Sequence, residues 1–180
     1  GPAGLMAAQA AASSGASVLL AEEQAGFGGS LRGAEELRAV SDELAARDNV
    51  TLLPRTTVYG YYDDNTLGAV ERVTDHLPAP TEGQPRQRHW TIRARRVVLA
   101  TGAIERPIVF GDNDKPGVML ADAARIYVER YGVAPGHRVA LFANNDGAYQ
   151  AIAALTAAGV AVTTIVDARP DLGPDARLTC

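Results

Sequence analysis

Gly1-Pro2-Ala3-Gly4 has the residue types of the second half of a dinucleotide-binding glycine loop, G-x-G-x-x-G, the turn between a buried strand and a helix. In that register Gly1 is the second glycine and Gly4 the third. A glycine at position 1 lets backbone approach a pyrophosphate, and one at position 4 lets the helix pack close to the sheet. The helix N-terminus adds unpaired N–H groups and a partial positive charge. Roughly 20 residues on, Glu22 and Glu23 follow the apolar run Val18-Leu19-Leu20-Ala21, where such folds place the acid that hydrogen-bonds a ribose hydroxyl. A carboxylate there favours a free 2′-hydroxyl and repels a 2′-phosphate. The half-loop alone would fit any alanine-rich helix after a glycine turn. The strand and the acid at the right interval make it a nucleotide site.

Two further stretches belong with that site. Ala25-Gly26-Phe27-Gly28-Gly29-Ser30 is a glycine loop that either returns N–H groups towards the ribose and phosphates or is a plain loop using glycine for positive φ. Arg96-Val97-Val98-Leu99-Ala100-Thr101-Gly102-Ala103 reads as a buried parallel strand ending in a turn at its carboxyl end, where α/β folds bind ligands. There Gly102 allows close backbone approach, and Thr101 can donate a hydrogen bond. The front half of the first loop is not in the sequence. Gly1 is therefore read as the middle of a loop, and the chain as a piece of something longer. The strand expected before Gly1 leaves a gap in the sheet, so the 180-residue polypeptide alone is expected to be marginal or aggregation-prone.

Residues 5–14 suit a tightly packed helix, and 34–48 an amphipathic one with Leu37, Val40, Leu44 and Ala45 on one face. Asn49 to Leu53 reads as a strand ended by Pro54. Between about 55 and 95 the spacing predicts an antiparallel β-meander: Thr56–Tyr62, a turn at Asp63-Asp64-Asn65, Leu67–Val73, a polar loop over 78–85, and His89–Ala94. Tyr59, Tyr61 and Tyr62 are read as packing residues with wet hydroxyls. After the Lys115-Pro116-Gly117 break the plan repeats: a helix over 120–131, a strand over Arg138–Ala143, a helix over 147–158, and a strand over 161–166 ending at Asp167. Here Ala143 and Asn145 stand at the first two glycine positions. Their side chains would crowd a pyrophosphate, and Asp146 would repel it. The expected fold is thus a Rossmann-like FAD/NAD(P)-binding α/β fold with an inserted meander (1–117), followed by the start of a second dinucleotide-type βαβ unit (118–180).

Composition sets limits. A 47% hydrophobic content supports a core, and a net charge of −4 with no basic cluster beyond Arg93-Ala94-Arg95-Arg96 argues against nucleic acid. No apolar run is long enough to span a bilayer. The single cysteine, Cys180, excludes an internal disulfide, a C-x-x-C pair and a cysteine zinc site. His76, His89 and His137 are scattered and read as surface residues, so no metal site is expected.

The stretches Thr57–Asp63, Val70-Glu71-Arg72-Val73-Thr74-Asp75-His76-Leu77, Pro85–Arg88, Val98–Pro107, Asn113–Leu120, Tyr131–Gly136 and Asn144-Asn145-Asp146 resemble the α subunit of heterotetrameric sarcosine oxidase, within the two-dinucleotide-binding-domain flavoproteins. The resemblance covers nearly the whole chain, but only the amino-terminal part of that subunit. It implies a cytoplasmic, flavin-dependent oxidoreductase that acts on a CH–NH bond. That enzyme demethylates sarcosine to glycine with tetrahydrofolate and oxygen, in a complex with β, γ and δ subunits. NAD would lie in this domain, with FAD and FMN elsewhere in the assembly. The same resemblance places Gly1, Pro2, Ala3, Gly4, Glu22, Glu23, Gly28, Gly29, Ser30, Val58 (through its backbone), Thr101, Gly102 and Ala103 at the dinucleotide, with no catalytic acid, base or nucleophile among them. Two alternatives share the motifs: a subunit of an FAD-dependent amine or opine dehydrogenase, and a non-catalytic scaffold that has lost its nucleotide.

Overall fold

The computed structural model describes residues 1–31, 33–79 and 82–171. Cys180 and the Pro80-Thr81 part of the expected polar loop lie outside the described residues. The chain divides into two compact units, Gly1–Ala103 and Ile104–Cys180.

In the first unit helix α1 (Pro2–Ser13) starts directly on Gly1, with Pro2 in the first turn, where its missing N–H costs nothing. Leu5, Ala8 and Ala12 recur at helical spacing and are buried against Leu44 of α2 (Glu35–Ala45). Gly15, at φ +84°, ends α1 and lets the Ala16 N–H reach back to the Ala11 carbonyl at 3.2 Å. Strands β1 (Val18–Ala21) and β2 (Val50–Leu53) then pair in parallel, with Val18 opposite Val50 and Ala21 opposite Leu53. The Asn49 side-chain amide donates to the carbonyls of Ala12 and Ala16 at 2.9 and 2.8 Å, fixing the end of α1 against the start of β2. Ala45, expected on the apolar face of α2, is exposed; Leu44 supplies the buried contact instead.

The meander forms as β3 (Thr56–Tyr62), β4 (Thr66–Arg72) and β5 (Gln87–Arg93), an antiparallel sheet in chain order. A tight turn at Asp63–Asn65 places Asp64 and Asn65 at positive φ, which short polar side chains tolerate. The register shifts between Val58 and Gly60, leaving Tyr59 bulged. The tyrosines are exposed, and two cover glycines: a Cβ on Gly60 would meet the Tyr62 ring, and one on Gly68 the Tyr59 ring, each well inside contact distance. The Tyr61 hydroxyl donates to Asn65 Oδ1 at 2.6 Å.

One expected element does not form. Residues 97–100 pair with no strand, and Val98 and Leu99 are 70% and 67% exposed. A strand exists only through its ladder partner. β1 pairs with β2 alone among the described residues, so no described strand pairs with 97–100.

In the second unit α3 (Ala121–Tyr131) ends on Gly132 in the left-handed conformation. Strands β6 (Arg138–Ala143) and β7 (Ala161–Asp167) pair in parallel around α4 (Gly147–Ala157). The Gly159 ending of α4, with the Val160 N–H on the Leu155 carbonyl at 3.0 Å, repeats the ending of α1. Leu141, Ala143, Ala148, Tyr149 and Ile152 form one buried cluster of this unit, and Ala124, Leu155 and Val160 a second.

Candidate functional site

The first turn of α1 has no side-chain cap. Gly1 offers none, and Pro2 has no N–H, so the amides of Ala3 and Gly4 are the orphan donors at the positive end of the helix dipole. Gly4 is buried, and a Cβ there would lie 3.4 Å from Ala100 Cβ and 3.8 Å from Leu20 Cδ1. Glycine at this position therefore seats α1 on β1 and on the residue just before Thr101.

Glu22 leaves β1 held on both sides. Its N–H donates to the Leu53 carbonyl at 3.0 Å, and its carbonyl accepts from Thr56 N–H at 2.8 Å. The carboxylate is mostly buried, at 16% exposure. Oε2 lies 3.5 Å from the Gly1 nitrogen, and Oε1 accepts from Gln24 N–H at 3.1 Å. Two more bonds fix the turn: Arg55 N–H to the Gln24 carbonyl at 2.9 Å, and Arg72 Nη2 to the Glu23 carbonyl at 2.6 Å. The acid thus faces the start of α1 on a rigid support, although the Glu23 side chain is exposed.

The Gly28-Gly29 loop comes to the same place. Gly28 is buried at φ +111°, and Gly29 sits at φ +59° so close to α1 that a Cβ would stand 2.9 Å from Gly1 Cα. Ser30 follows, exposed, in a short 3-10 turn at Gly29–Leu31. Val58 is 42% exposed and pairs with Ala69; it lies two residues, roughly 7 Å, along β3 from the Thr56 bond to Glu22. Thr101, Gly102 (φ +72°) and Ala103 are exposed immediately after Ala100. The structure therefore brings Glu22 and Gly29 to Gly1 and Ala100 to Gly4, at the two sides of the first turn of α1, with Val58 further along the strand that adjoins Glu22.

Such a cluster suits the anchoring of a dinucleotide. It presents main-chain donors at a helix N-terminus, glycines that keep the approach open, and an acceptor-only carboxylate. It offers no nucleophile paired with a base, and among the described residues no group of three or more His, Cys, Asp or Glu side chains could hold a metal. Nor is any described helix long and apolar enough to cross a membrane.

The second loop differs in detail. Asn145 Oδ1 accepts the Gly147 N–H at 2.9 Å, and Arg169 bridges Asp146 and Asp167. The sequence pattern pointed to neither Arg169 nor Tyr149. An arginine two residues beyond the strand-end acid was the one signal it held.

No protein-family model matches the chain. It is 49% identical to the alpha subunit of sarcosine oxidase from Rhizobium meliloti (strain 1021), over 98% of this chain and 19% of that protein. To the protein of the same name in Corynebacterium sp. (strain P-1) it is 50% identical, over 94% and 19%. An opine oxidase subunit from Rhizobium meliloti (strain 1021) is 31% identical over 93% of this chain and 37% of its own length. The chain thus spans about a fifth of the sarcosine oxidase subunits it matches. Among solved structures, L-proline dehydrogenase from P. horikoshii superposes with a TM-score of 0.69 at 24% identity, covering 97% of this chain and 35% of that one. The resemblance carried by the residues holds along nearly the whole chain, and the fold is the expected Rossmann-like α/β type.

Proposed function

We propose that this chain, similar over nearly its whole length to the alpha subunit of sarcosine oxidase, provides the dinucleotide-holding part of such a subunit, with NAD as its ligand. The observation that carries this reading is the Glu22 carboxylate fixed beside the uncapped start of α1. The Ala3 and Gly4 amides would bind the pyrophosphate, and Gly1 and Gly29 would keep side chains out of its path. Glu22 would accept from the adenosine ribose hydroxyls and repel a 2′-phosphate. The Val58 backbone would meet the adenine, and Thr101, Gly102 and Ala103 would border the ligand from the turn after Ala100.

None of these residues transfers a proton. In the assembled enzyme, FAD and FMN would supply the redox chemistry that oxidises the CH–NH bond of sarcosine, with tetrahydrofolate and oxygen as acceptors. The β, γ and δ subunits, a folate site and a cytoplasmic location belong to the same proposal, as does the domain division at 117/118.

The likeness to the opine oxidase subunit favours one alternative, an FAD-binding subunit of an amine or opine dehydrogenase. Denaturing the purified native protein and identifying the released nucleotide by mass spectrometry separates the two. NAD is the expected product, FAD would select the alternative, and an empty supernatant would refute both.

A further inference from the structure

The second unit repeats the helix, strand and acid of the first, with Asp167 in the place of Glu22 and residues 143–148 in the place of the glycine loop. Two of the groups a nucleotide would use in that crevice, an amide at the start of α4 and the strand-end acid, are already engaged. Gly147 begins α4, and its N–H is taken by Asn145 Oδ1 at 2.9 Å. The Asp167 side chain is only 6% exposed. Its Oδ1 accepts from the Arg169 backbone N–H and from Nε, both at 3.0 Å, and its Oδ2 accepts from Arg169 Nη2 at 2.7 Å and the Tyr149 hydroxyl at 3.0 Å. The remaining Arg169 nitrogen, Nη1, reaches Asp146 Oδ1 at 2.7 Å, on the residue that precedes α4.

We propose that Arg169, clasped across Asp146 and Asp167, closes the crevice at the carboxyl ends of β6 and β7 to nucleotides and ties the 143–148 loop to β7 in a ligand's stead.

Three physical points support this. The guanidinium forks onto Asp167 through two nitrogens and spends a third on Asp146, a fixed geometry that lysine could not supply. Releasing it would leave a nearly buried carboxylate with the Tyr149 hydroxyl as its side-chain donor, a costly state that a neutral ribose would not repair. The cluster of two carboxylates and one guanidinium also keeps a net negative charge, which opposes a pyrophosphate at the very helix end that would otherwise attract it. The hydrogen bonds hold the Asp167 carboxyl below the usual carboxylate range and the Arg169 guanidinium above its ordinary value, as a tight pair requires.

The test compares the native protein with Arg169→Gln, and with the milder Asp146→Asn should Arg169→Gln not fold. Hydrogen exchange is followed in peptides over 143–149 and 165–171, with and without ADP at millimolar concentration. Loss of the clasp should speed exchange over 143–149 by about tenfold or more, the scale of one charge-assisted hydrogen bond, without changing exchange over 1–13. Added ADP should leave exchange over 143–149 unaltered in the native protein. Unchanged exchange in the variant, or ADP that protects 143–149 in the native protein, would overturn the proposal. Both readouts concern the second unit, so they stand whichever nucleotide the first unit releases.

Discussion

Replacing Gly29 with alanine tests the closest approach in the candidate site. At φ +59° an alanine there costs about 1 kcal/mol or somewhat more, because its Cβ crowds its own carbonyl. The new methyl would also stand 2.9 Å from Gly1 Cα and 3.5 Å from Gly1 N. Both atoms are backbone, so no rotamer change relieves the contact. The loop must withdraw by about 0.5 Å or more to restore ordinary separation, an overpacking cost of about 1–3 kcal/mol. Gly15 isolates the first contribution: it too has positive φ, at +84°, but nothing lies within 4 Å of its Cβ. Gly29→Ala should therefore lower the local opening free energy over residues 1–31 by about 2–4 kcal/mol, against about 1 kcal/mol for Gly15→Ala. Native-state hydrogen exchange on peptides from that region measures both. Because Gly1 must move, the first variant should also lose bound nucleotide, while the second keeps it. Equal destabilisation by the two variants, with nucleotide content unchanged, would show that the approach of Gly29 to Gly1 is not tight and would remove the loop from the site.

Other outcomes follow from the same geometry. Glu22→Ala should weaken ADP-ribose binding by about 10- to 100-fold, the worth of a hydrogen bond to a charged group, and should narrow the preference over 2′-phospho-ADP-ribose; titration calorimetry with both ligands would show neither change if the acid does not face the ribose. Tyr62→Ala uncovers Gly60 and should cost about 0.5–1 kcal/mol in urea unfolding while leaving nucleotide content intact. Asp167 binds its proton less readily folded than unfolded, so its contribution is full above about pH 5 and is lost progressively as pH falls through and below the unfolded value near 3.9. Melting of the native protein between pH 3 and 7 should show this loss, and Asp167→Asn should flatten it.

Most elements were legible because each carries both a period and a stop. α1 and α4 are alanine-rich runs closed by Gly15 and Gly159, and β3 is β-branched and aromatic before an Asp-Asp-Asn turn. The run at 97–100 misled for a reason no local pattern reveals. Apolar residues mark a segment fit for a buried strand, but pairing depends on a neighbour elsewhere, and no described strand pairs with it. The contact of Ala100 with Gly4 was foreshadowed only by the rule that the loop's last glycine permits close packing. In the second unit, Asp146 and Asp167 were visible as charges, but their shared partner was not. An arginine lying past a strand end gives no periodic signal, and only the fold brings it between two acids separated by a whole helix.

The bolting of β3 and β4 to the turn after β1 bears on how this chain can change over generations. Thr56, Arg55 and Arg72 grip residues 22–24 at the root of the meander, while its hairpin tip at 63–65 lies at the far end of the strands. Length and composition at that tip can drift, or be recruited for contact with new protein neighbours, without displacing the acid beneath. The root has no such latitude: a residue inserted or lost within 22–24 or 54–56 would break the anchorage and the site together.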